Sequence, residues 1–570
     1  MAEYLTPGVY IEEFDSGIKA MEGVGTSTAG FIGMAEKGRT QGIPVLITSM
    51  GDFQRNFGGQ LSKAEYGENR YLPYAVEAFF ANGGSTCYVM RVKAEESEAA
   101  SESIKVSDGE ISFTASSVGK WGNEVKILIS EDFAHKTIIT KKDGAKITVN
   151  GGSNFCVGDL LRLTTPTAEK YLLVEEISGD VLTVSGDEID ESVVDENPAL
   201  PTNFLHLCVA HINITGGGVV EVFENVSFNP VSPFFIGAVL ARSSLASAEI
   251  KTKLTLKNSK LSEQIDNLSV QLIGGKNGKV NAPLNSAMLT GGVDVAGKRI
   301  GLNAFKELSD VSIMAVPGCY DSGVQAALIG HCEGLMSRFA VLDTCIDDVE
   351  IPALTAYKDK FDSNYCAIYH PWLQVYSGIE KSNTFVPPSG AIAGIYARTD
   401  NTRGVWKAPA NEVVRGATGL SVNYNDSEQS KLNPKGINII RALPGQGIRV
   451  WGARTLSSDG NWKYINVRRL FIFIEESIKA NTNWAVFEPN DANLWSRVQG
   501  TIRVFLTTLW RNGALVGSSA DEAFFVNVGK GSTMTEDDIL NGRLICVIGV
   551  APVRPAEFII FRITQKMQED

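Results

Sequence analysis

VWGARTLSSDGNWKYINVRRLFIFIEESIKANTNWAVFEPNDANLWSRVQGTIRVFLTTLWRNGAL, residues 450–515, carries two helix signals, a strand signal between them and a surplus of positive charge. From Ile465 the apolar residues Val467, Leu470, Phe471, Ile474 and Ile478 recur at helical spacing, and Glu475 precedes Lys479 by one helical turn, the favourable order for an exposed pair. This predicts a helix with one buried face. Residues 483–488 (NWAVFE) are short and rich in strand formers. A second helix is predicted to open with Asn490 as N-cap and Asp491 in its first turn, to bury Leu494, Val498, Ile502, Phe505 and Leu509, and to stop at Gly513.

Residues 447–511 hold nine Lys or Arg (Arg449, Arg454, Lys463, Arg468, Arg469, Lys479, Arg497, Arg503, Arg511) against five acids, in a chain whose net charge is −13. Two readings fit this surplus: a solvated or internally paired helix face, or a basic surface that meets an acidic partner. Upstream, residues 387–419 join a helix-like PSGAIAGIYARTD to a loop with Arg403, Trp406 and Lys407, and residues 426–452 supply a short helix, a turn at Asn433-Pro434-Lys435-Gly436 and strands. Downstream, EAFFVNVG, RLICVIGV and EFIIFRI read as a meander, with Pro552 and Pro555 breaking the last strand away. At the other end, residues 1–14 read as an extended segment too short to fold alone, because Pro7-Gly8 punctuates it and Val9, Tyr10 and Ile11 favour strand.

The remaining charge is concentrated in one place. Residues 95–200 contain 21 acids and 9 Lys or Arg, nearly the whole imbalance of the chain. Short strand-like runs (KITVN, LLRLTT, YLLVEEI, VLTVSG) alternate there with Gly, Asp and Ser turns, the pattern of a small antiparallel sandwich or barrel inserted into the surface. Its loop GDEIDESVVDE, residues 186–196, lacks the spacing of a calcium loop. Before it, residues 21–94 alternate strands with Gly turns, add a helix at YAVEAFFAN and end in the buried strand of GGSTCYVMRV. After it, residues 310–376 alternate apolar strands (VSIMAVPG, FAVLDT, YCAIYHPWLQV) with helices, which implies a parallel sheet flanked by helices.

Several chemistries are tested and set aside. His331, Cys332, Asp343 and His370 are the candidates for a thiol or hydrolase site, but adjacent helical residues such as His331 and Cys332 point about 100° apart. No Gly-x-Ser-x-Gly or His-Glu-x-x-His motif is present. GVDVAGK, residues 292–298, fits a phosphate loop until its eighth position, where Arg299 replaces the magnesium-holding Ser or Thr. The acidic chain has no basic and aromatic platform for nucleic acid. Eight scattered cysteines without C-x-x-C spacing argue for buried thiols over zinc or disulfides. With 44% hydrophobic and 21% charged residues, no ~18-residue apolar run and no basic-then-apolar leader, the composition predicts a soluble protein made in a cytoplasm. No enzyme activity, cofactor or metal is expected.

Residues 450–515 closely resemble the C-terminal domain of contractile-tail sheath proteins, those of contractile phages, phage-tail-like bacteriocins and extracellular injection systems. PGVYIEE (7–13) with GVGTSTAGFIG (23–33) resembles the start of that family, and GVAPVRPAEFIIFRI (549–563) its end. TGGG at 215–218 with FENVSFNP adds a weaker run. The resemblance implies an α+β multidomain fold: an N-terminal arm (1–20), the first part of a core (21–94), a β-rich surface insertion (95–210), a central α/β subtilisin-like, non-protease domain (211–385), an α+β C-terminal sheath domain (386–552) and a C-terminal arm (553–570). It implies a subunit that polymerises around an inner tube in a metastable extended state and contracts to drive the tube through an envelope. A static shell or baseplate protein, or an enzyme with a degenerate hydrolase domain, are the alternatives. Implied partners are other copies of itself, an inner tube protein, and baseplate and terminator proteins, with neither nucleic acid nor membrane insertion; the particle is released from a bacterial cytoplasm by lysis. Arms around Val9, Tyr10, Ile11 and Glu12 and around Phe558, Ile559, Ile560 and Phe561 are then expected to add strands to a neighbour's sheet at the strand of Leu544, Cys546, Ile548 and Val550. Arg468, Arg469, Arg497 and Arg503 are the candidates to face the tube.

Overall fold

The computed structural model describes residues 21–195, 200–292 and 295–560. A nine-stranded sheet draws its strands from both sides of the insertion, in the order Val45–Ile47, Cys87–Arg91, Ala29–Gly33, Ile313–Ala315, Phe339–Asp343, Cys366–His370, Ile437–Leu443, Gly447–Val450 and Glu412–Val413. The six strands from Cys87–Arg91 to Ile437–Leu443 run parallel, and antiparallel strands close both edges. Helices α1 (Tyr71–Ala81), α2 (Ser322–Leu335) and α3 (Ser389–Arg403) cover it. Alternate strand residues Phe31, Ile313, Val341 and Tyr369 share a core with α1 and α3, while Ile32, Met314, Ala340, Leu342 and Ile368 share one with α2. Burial on both faces is why the strands FAVLD and CAIYH are apolar without alternation. Helix α3 crosses α1 at backbone contact: a Cβ at Gly390 would stand 2.3 Å from the Ala75 carbonyl, and one at Gly394 2.4 Å from that of Phe79.

The inserted β module is larger than residues 95–210. Its main sheet runs Ser269–Gln271, Lys126–Thr137, Phe204–Gly216, Leu160–Thr164, Glu169–Ser178, Val181–Gly186, Lys146–Val149, Ile139–Asp143, with Val219–Val226 also paired to Phe204–Gly216. A second sheet of Ala246–Thr252, Gly109–Ala115 and Ser101–Val106 packs on it, closing a core of Ile104, Ile111 and Phe113 against Ile127, Ile212, Ile214 and Val270. Residues 211–271 therefore complete the module instead of opening the α/β region, and TGGG at 215–218 is a hairpin turn. The expected division at 386 also falls inside one unit, since 437–450 pair into the sheet that 29–33 and 313–370 build. Strand partners lie hundreds of residues apart, and local patterning carries no information about them.

Arg91, at the end of its strand, fastens the module to this sheet. Its guanidinium donates to the carbonyls of Ala35 (2.9 Å), Gly38 (3.1 Å) and Glu36 (3.1 Å) on the core side, and to Val118 (3.0 Å) in the module. Burial lowers its pKa to about 10, which still leaves the cation in place near neutrality.

The C-terminal region holds helices α4 (Ile465–Asn481) and α5 (Ala492–Arg511), and all five residues of the expected α5 stripe are buried. Its N-cap is Asp491, whose Oδ1 accepts from the Leu494 amide at 2.9 Å; Asn490 instead accepts from the Trp495 indole at 2.7 Å. Gly513, at φ 82°, follows the C-cap Asn512 as expected of a helix stop. Residues 483–488 are not a strand. They form a 3-10 turn, Asn483–Ala485, then irregular chain, because the link between the two helices meets no sheet edge among the described residues. Glu475 pairs with Arg468, and Lys479 with Glu476, in place of the expected i,i+4 pair.

Candidate assembly surfaces

Beside α5 lies a sheet of two strands, Phe524–Val528 and Cys546–Val550, paired antiparallel in the register Val526 to Ile548. Phe524 and Val526 are buried in a core with Leu494, Val498, Ile502 and Phe505, and Leu544, Cys546, Ile548 and Val550 pack half-buried against the same core. The opposite face exposes Phe525 and Val547. Among the described residues neither strand has a second partner strand; the Val526 carbonyl on one outer edge accepts from Gln499 Nε2 of α5 at 2.7 Å, and the outer edge of Cys546–Val550 is left as the open one. Two strands alone are marginal, and α5 supplies the packing that keeps them in place.

The chain leaves this sheet along residues 551–560. Phe558, Ile559 and Ile560 are 72–78% exposed and pair with no strand among the described residues. Phe558 and Ile559 line a groove of about 1010 Å³ together with Trp406, Lys407, Trp451 and Tyr464. The segment is nonetheless pinned just before them: Glu557 accepts from Arg454 at 2.8 and 2.6 Å, from Asn433 at 2.7 Å and from the Tyr464 hydroxyl at 3.2 Å. Burial pushes this carboxyl up, but the hydrogen bonds from Arg454 and Asn433 outweigh it and hold it below the usual glutamate range. Val9, Tyr10, Ile11, Glu12 and Phe561 lie outside the described residues.

The four arginines expected to face a tube divide in two. Arg468 and Arg469 are 5% and 4% exposed and belong to the interior. Arg468 stacks on Tyr365 and Trp462 and donates twice to Glu475, and Arg469 donates to Asp400 at 2.9 and 2.6 Å, with both partners sealed from solvent. Arg497, over the Trp484 ring and 4.0 Å from Glu488, and Arg503, paired with Asp521 at 2.7 Å, lie at the surface. Part of the charge surplus of the stretch is thus neutralised inside the fold, by Glu475 within it and by Asp400 outside it.

His331, Cys332, Asp343 and His370 form no common site. His370 bonds Thr344 and the Tyr424 hydroxyl, and burial lowers it to about 4. Asp343 accepts from the Gly318 amide and from the amide and hydroxyl of Ser389, and burial raises it to about 6. His331 contacts Arg338 at 3.2 Å and burial lowers it to about 4, whereas burial raises the Cys332 thiol to about 12. The phosphate-loop candidate follows a short helix, Ser286–Thr290, where such a loop requires a strand, and Arg299 pairs with Glu307. In the acidic loop, Asp190 and Asp195 are occupied by Ser192 and by Thr202 and Asn203. All eight cysteines are free thiols, and no described helix is long and apolar enough to cross a membrane.

Three family models match the chain in succession: the DUF2586 N-terminal domain at residues 7–289, the phage tail sheath protein central domain at 292–456 and the phage tail sheath C-terminal domain at 457–566. The chain belongs to the contractile tail sheath family. A prophage major tail sheath protein of Pseudomonas aeruginosa (strain UCBPP-PA14) is 30% identical over 243 residues, 40% of this chain and 62% of that protein. The tail sheath protein of Burkholderia phage BcepMu is 27% identical over 262 residues, 42% of this chain and 54% of that protein. The chain thus spans a little over half the length of these curated sheath relatives. Among solved sheath structures, that of the extracellular contractile injection system PVC in its contracted state aligns over 99% of both chains with a TM-score of 0.53 and 22% identity, a likeness of fold.

Two features of this sheath-family chain escape a sequence reading. Phe487, at the tip of the α4–α5 link, is fully exposed and held at φ 66°, an uncommon conformation for a bulky residue. Asn466, Arg469, Ser477 and Asn481 form a polar stripe on α4; their helical spacing is a signal in the sequence, but an apolar-face pattern does not include it.

Proposed function

We propose that the chain is the structural subunit of a contractile sheath. Copies polymerise around an inner tube in a strained extended state and shorten to drive the tube through a target envelope, without hydrolysis, as rigid bodies exchange one set of contacts for another. The observation that carries this reading is the two-stranded sheet with an open edge beside a C-terminal segment whose apolar residues stand exposed. Each copy then offers a sheet that lacks strands and segments that lack a sheet, a combination that is satisfied by a second copy through β-augmentation. The arms are residues 2–14 and 556–563, and the acceptor edge is the strand of Leu544, Cys546, Ile548 and Val550.

Further parts of the reading follow. The inner tube is met by Arg497 and Arg503 on the surface of α5, with Arg468 and Arg469 withdrawn from that role by their burial. A parallel sheet with helices on both faces supports a subtilisin-like frame for the middle of the chain, and the closed packing around Asp343 and His370 supports a non-catalytic use of it. Baseplate and terminator proteins meet the two ends of the polymer, and the particle forms in a bacterial cytoplasm and leaves by lysis.

The test is assembly. Purified full-length protein, alone and with its tube protein, is examined by electron microscopy. Tubes of two diameters support contraction, one diameter supports a static shell, and monodisperse protein overturns the sheath reading. Deleting residues 1–15 is expected to leave a folded monomer that does not polymerise; an unfolded monomer assigns that segment to its own core.

A further inference from the structure

Helix α4 is met by residues 22–26 from one side of the chain and by residues 553–557 from the other. Along α4 from its C-terminus backwards, Asn481 Nδ2 donates to the Glu22 carbonyl at 2.8 Å, the Val24 amide donates to Ser477 Oγ at 3.1 Å, and Arg469, in the helix's first half, donates to the Thr26 carbonyl at 3.0 Å. Thr26 Oγ1 also donates to Asp400, the acid on α3 that Arg469 grips, at 2.7 Å. Gly23 lies over Phe473 of α4 so closely that a Cβ would stand 2.5 Å from the ring. At the other end of the helix, Asn466 Nδ2 donates to the Val553 carbonyl at 3.1 Å, and Tyr464, the N-cap residue, reaches Glu557.

The stripe that does this is coherent. At about 100° per residue, Asn466, Arg469, Ser477 and Asn481 fall within a sector of about 120°. Ser477 and Asn466 are 0% and 1% exposed, positions where an unsatisfied polar group costs stability. Their partners are backbone groups of the two terminal segments, together with the Trp406 carbonyl for Asn466.

We infer that α4 is a tie-bar between the two terminal segments. A pull that enters through residues 22–26 then has two routes: along the chain into Ala29–Gly33, where Ser312 also holds the Gly25 carbonyl at 3.0 Å, and through α4, a 17-residue helix of roughly 25 Å, to residues 553–557. The partner that pulls is a second copy of this chain, so the inference rests on the reading that terminal arms link subunits. Asn466, Arg469, Ser477 and Asn481 are positioning residues for that linkage.

The test uses the full chain with Ser477→Ala/Asn481→Ala, which removes the ties at Glu22 and Val24, and separately with Asn466→Ala, which removes the tie at Val553. Amide exchange, thermal midpoint and polymer yield are measured together. The expected result for the double variant is at least tenfold faster exchange at Val24, unchanged exchange at Val341 and Ile368, and polymer yield reduced several-fold. Asn466→Ala is expected to lower the yield with Val24 exchange unchanged. Wild-type polymer yield in both variants overturns the tie. If the deletion of residues 1–15 then also polymerises, the arm reading has failed with it; if the deletion does not, only the tie has failed. Should the double variant not fold, Asn481→Ala alone, at a half-buried position, removes the tie to Glu22 and carries the same expectation for polymer yield.

Discussion

The inserted β module and the C-terminal pair of strands are both antiparallel, yet one is finished and the other is not. In the module, two sheets face each other over a shared core, and a second cluster of Leu161, Leu163, Leu172, Val174, Leu182 and Leu205 fills its outer part. The C-terminal strands have one packed face, one exposed face bearing Phe525 and Val547, and no further strand on either edge, Gln499 meeting the Val526 carbonyl on one of them. A self-contained sheet can be added to a subunit surface without altering its contacts. An unfinished one obliges the subunit to find strands elsewhere, and that asymmetry is the basis for assigning assembly to the C-terminal region.

Excision of the module is the harshest way to break this comparison. Glu95 O accepts from the Lys279 amide at 3.0 Å, and Glu98 and Lys276 pair across the same junction, so the two ends of the module adjoin and a short Gly-Ser linker spans them. Replacing residues 95–279 is expected to leave a folded core that still polymerises. Replacing only residues 95–200 cuts through the main sheet and strips partners from Leu205, Leu207, Val209, Ile212 and Ile214, all buried. At about 1.5–3 kcal/mol each, that loss is comparable with the stability of a whole domain, and aggregation in place of a cooperative unfolding transition is the expected outcome. Polymerisation by the shorter deletion and failure by the longer one would reverse the assignment of residues 201–279.

A smaller effect separates charges that are finished inside the fold from charges left at its surface. Arg469→Ala leaves Asp400, 3% exposed, buried without its counter-ion, and about 3–5 kcal/mol of monomer stability should be lost. Arg503→Ala breaks a pair whose members are 52% and 82% exposed, and less than about 1 kcal/mol is expected. Urea midpoints of the isolated monomer decide between them; equal losses would erase the distinction drawn between Arg469 and Arg503 as interior and outward groups.

How far letters alone carried the fold follows from the range of each interaction. The α5 stripe and its glycine stop were legible because a helix face is written within twenty residues. So was the parallel sheet, since strands covered on both sides read as unbroken apolar runs. Alternation in the module looks the same before and after residue 210, so its end was misplaced where only pairing, Phe204–Gly216 to Lys126–Thr137, defines it. The interior fate of Arg469 depends on Asp400 and Thr26, 69 and 443 residues away. The anchor at Glu557 was invisible because Arg454 and Asn433 lie about a hundred residues upstream.

The gentlest change is aimed at the edge itself. Val547 sits on the outer face of the C-terminal strand, 44% exposed, and Val222 occupies the matching kind of position on the module, 52% exposed on the Val219–Val226 strand. Lysine on an exposed strand edge is a usual device for preventing further pairing, because the added strand would have to bury the stem and desolvate the charge. Neither Val547→Lys nor Val222→Lys removes a buried contact, so each should shift monomer stability by no more than about 0.5 kcal/mol. Their effects on assembly should nevertheless diverge. Val547→Lys is expected to reduce polymer mass in sedimentation by more than tenfold, while Val222→Lys leaves it unchanged, since the module's sheets ask nothing of a neighbour. Equal losses from both would mean that the module also carries subunit contacts. Loss from Val222→Lys alone would move the assembly surface to the module and leave the two open strands as a feature of the monomer.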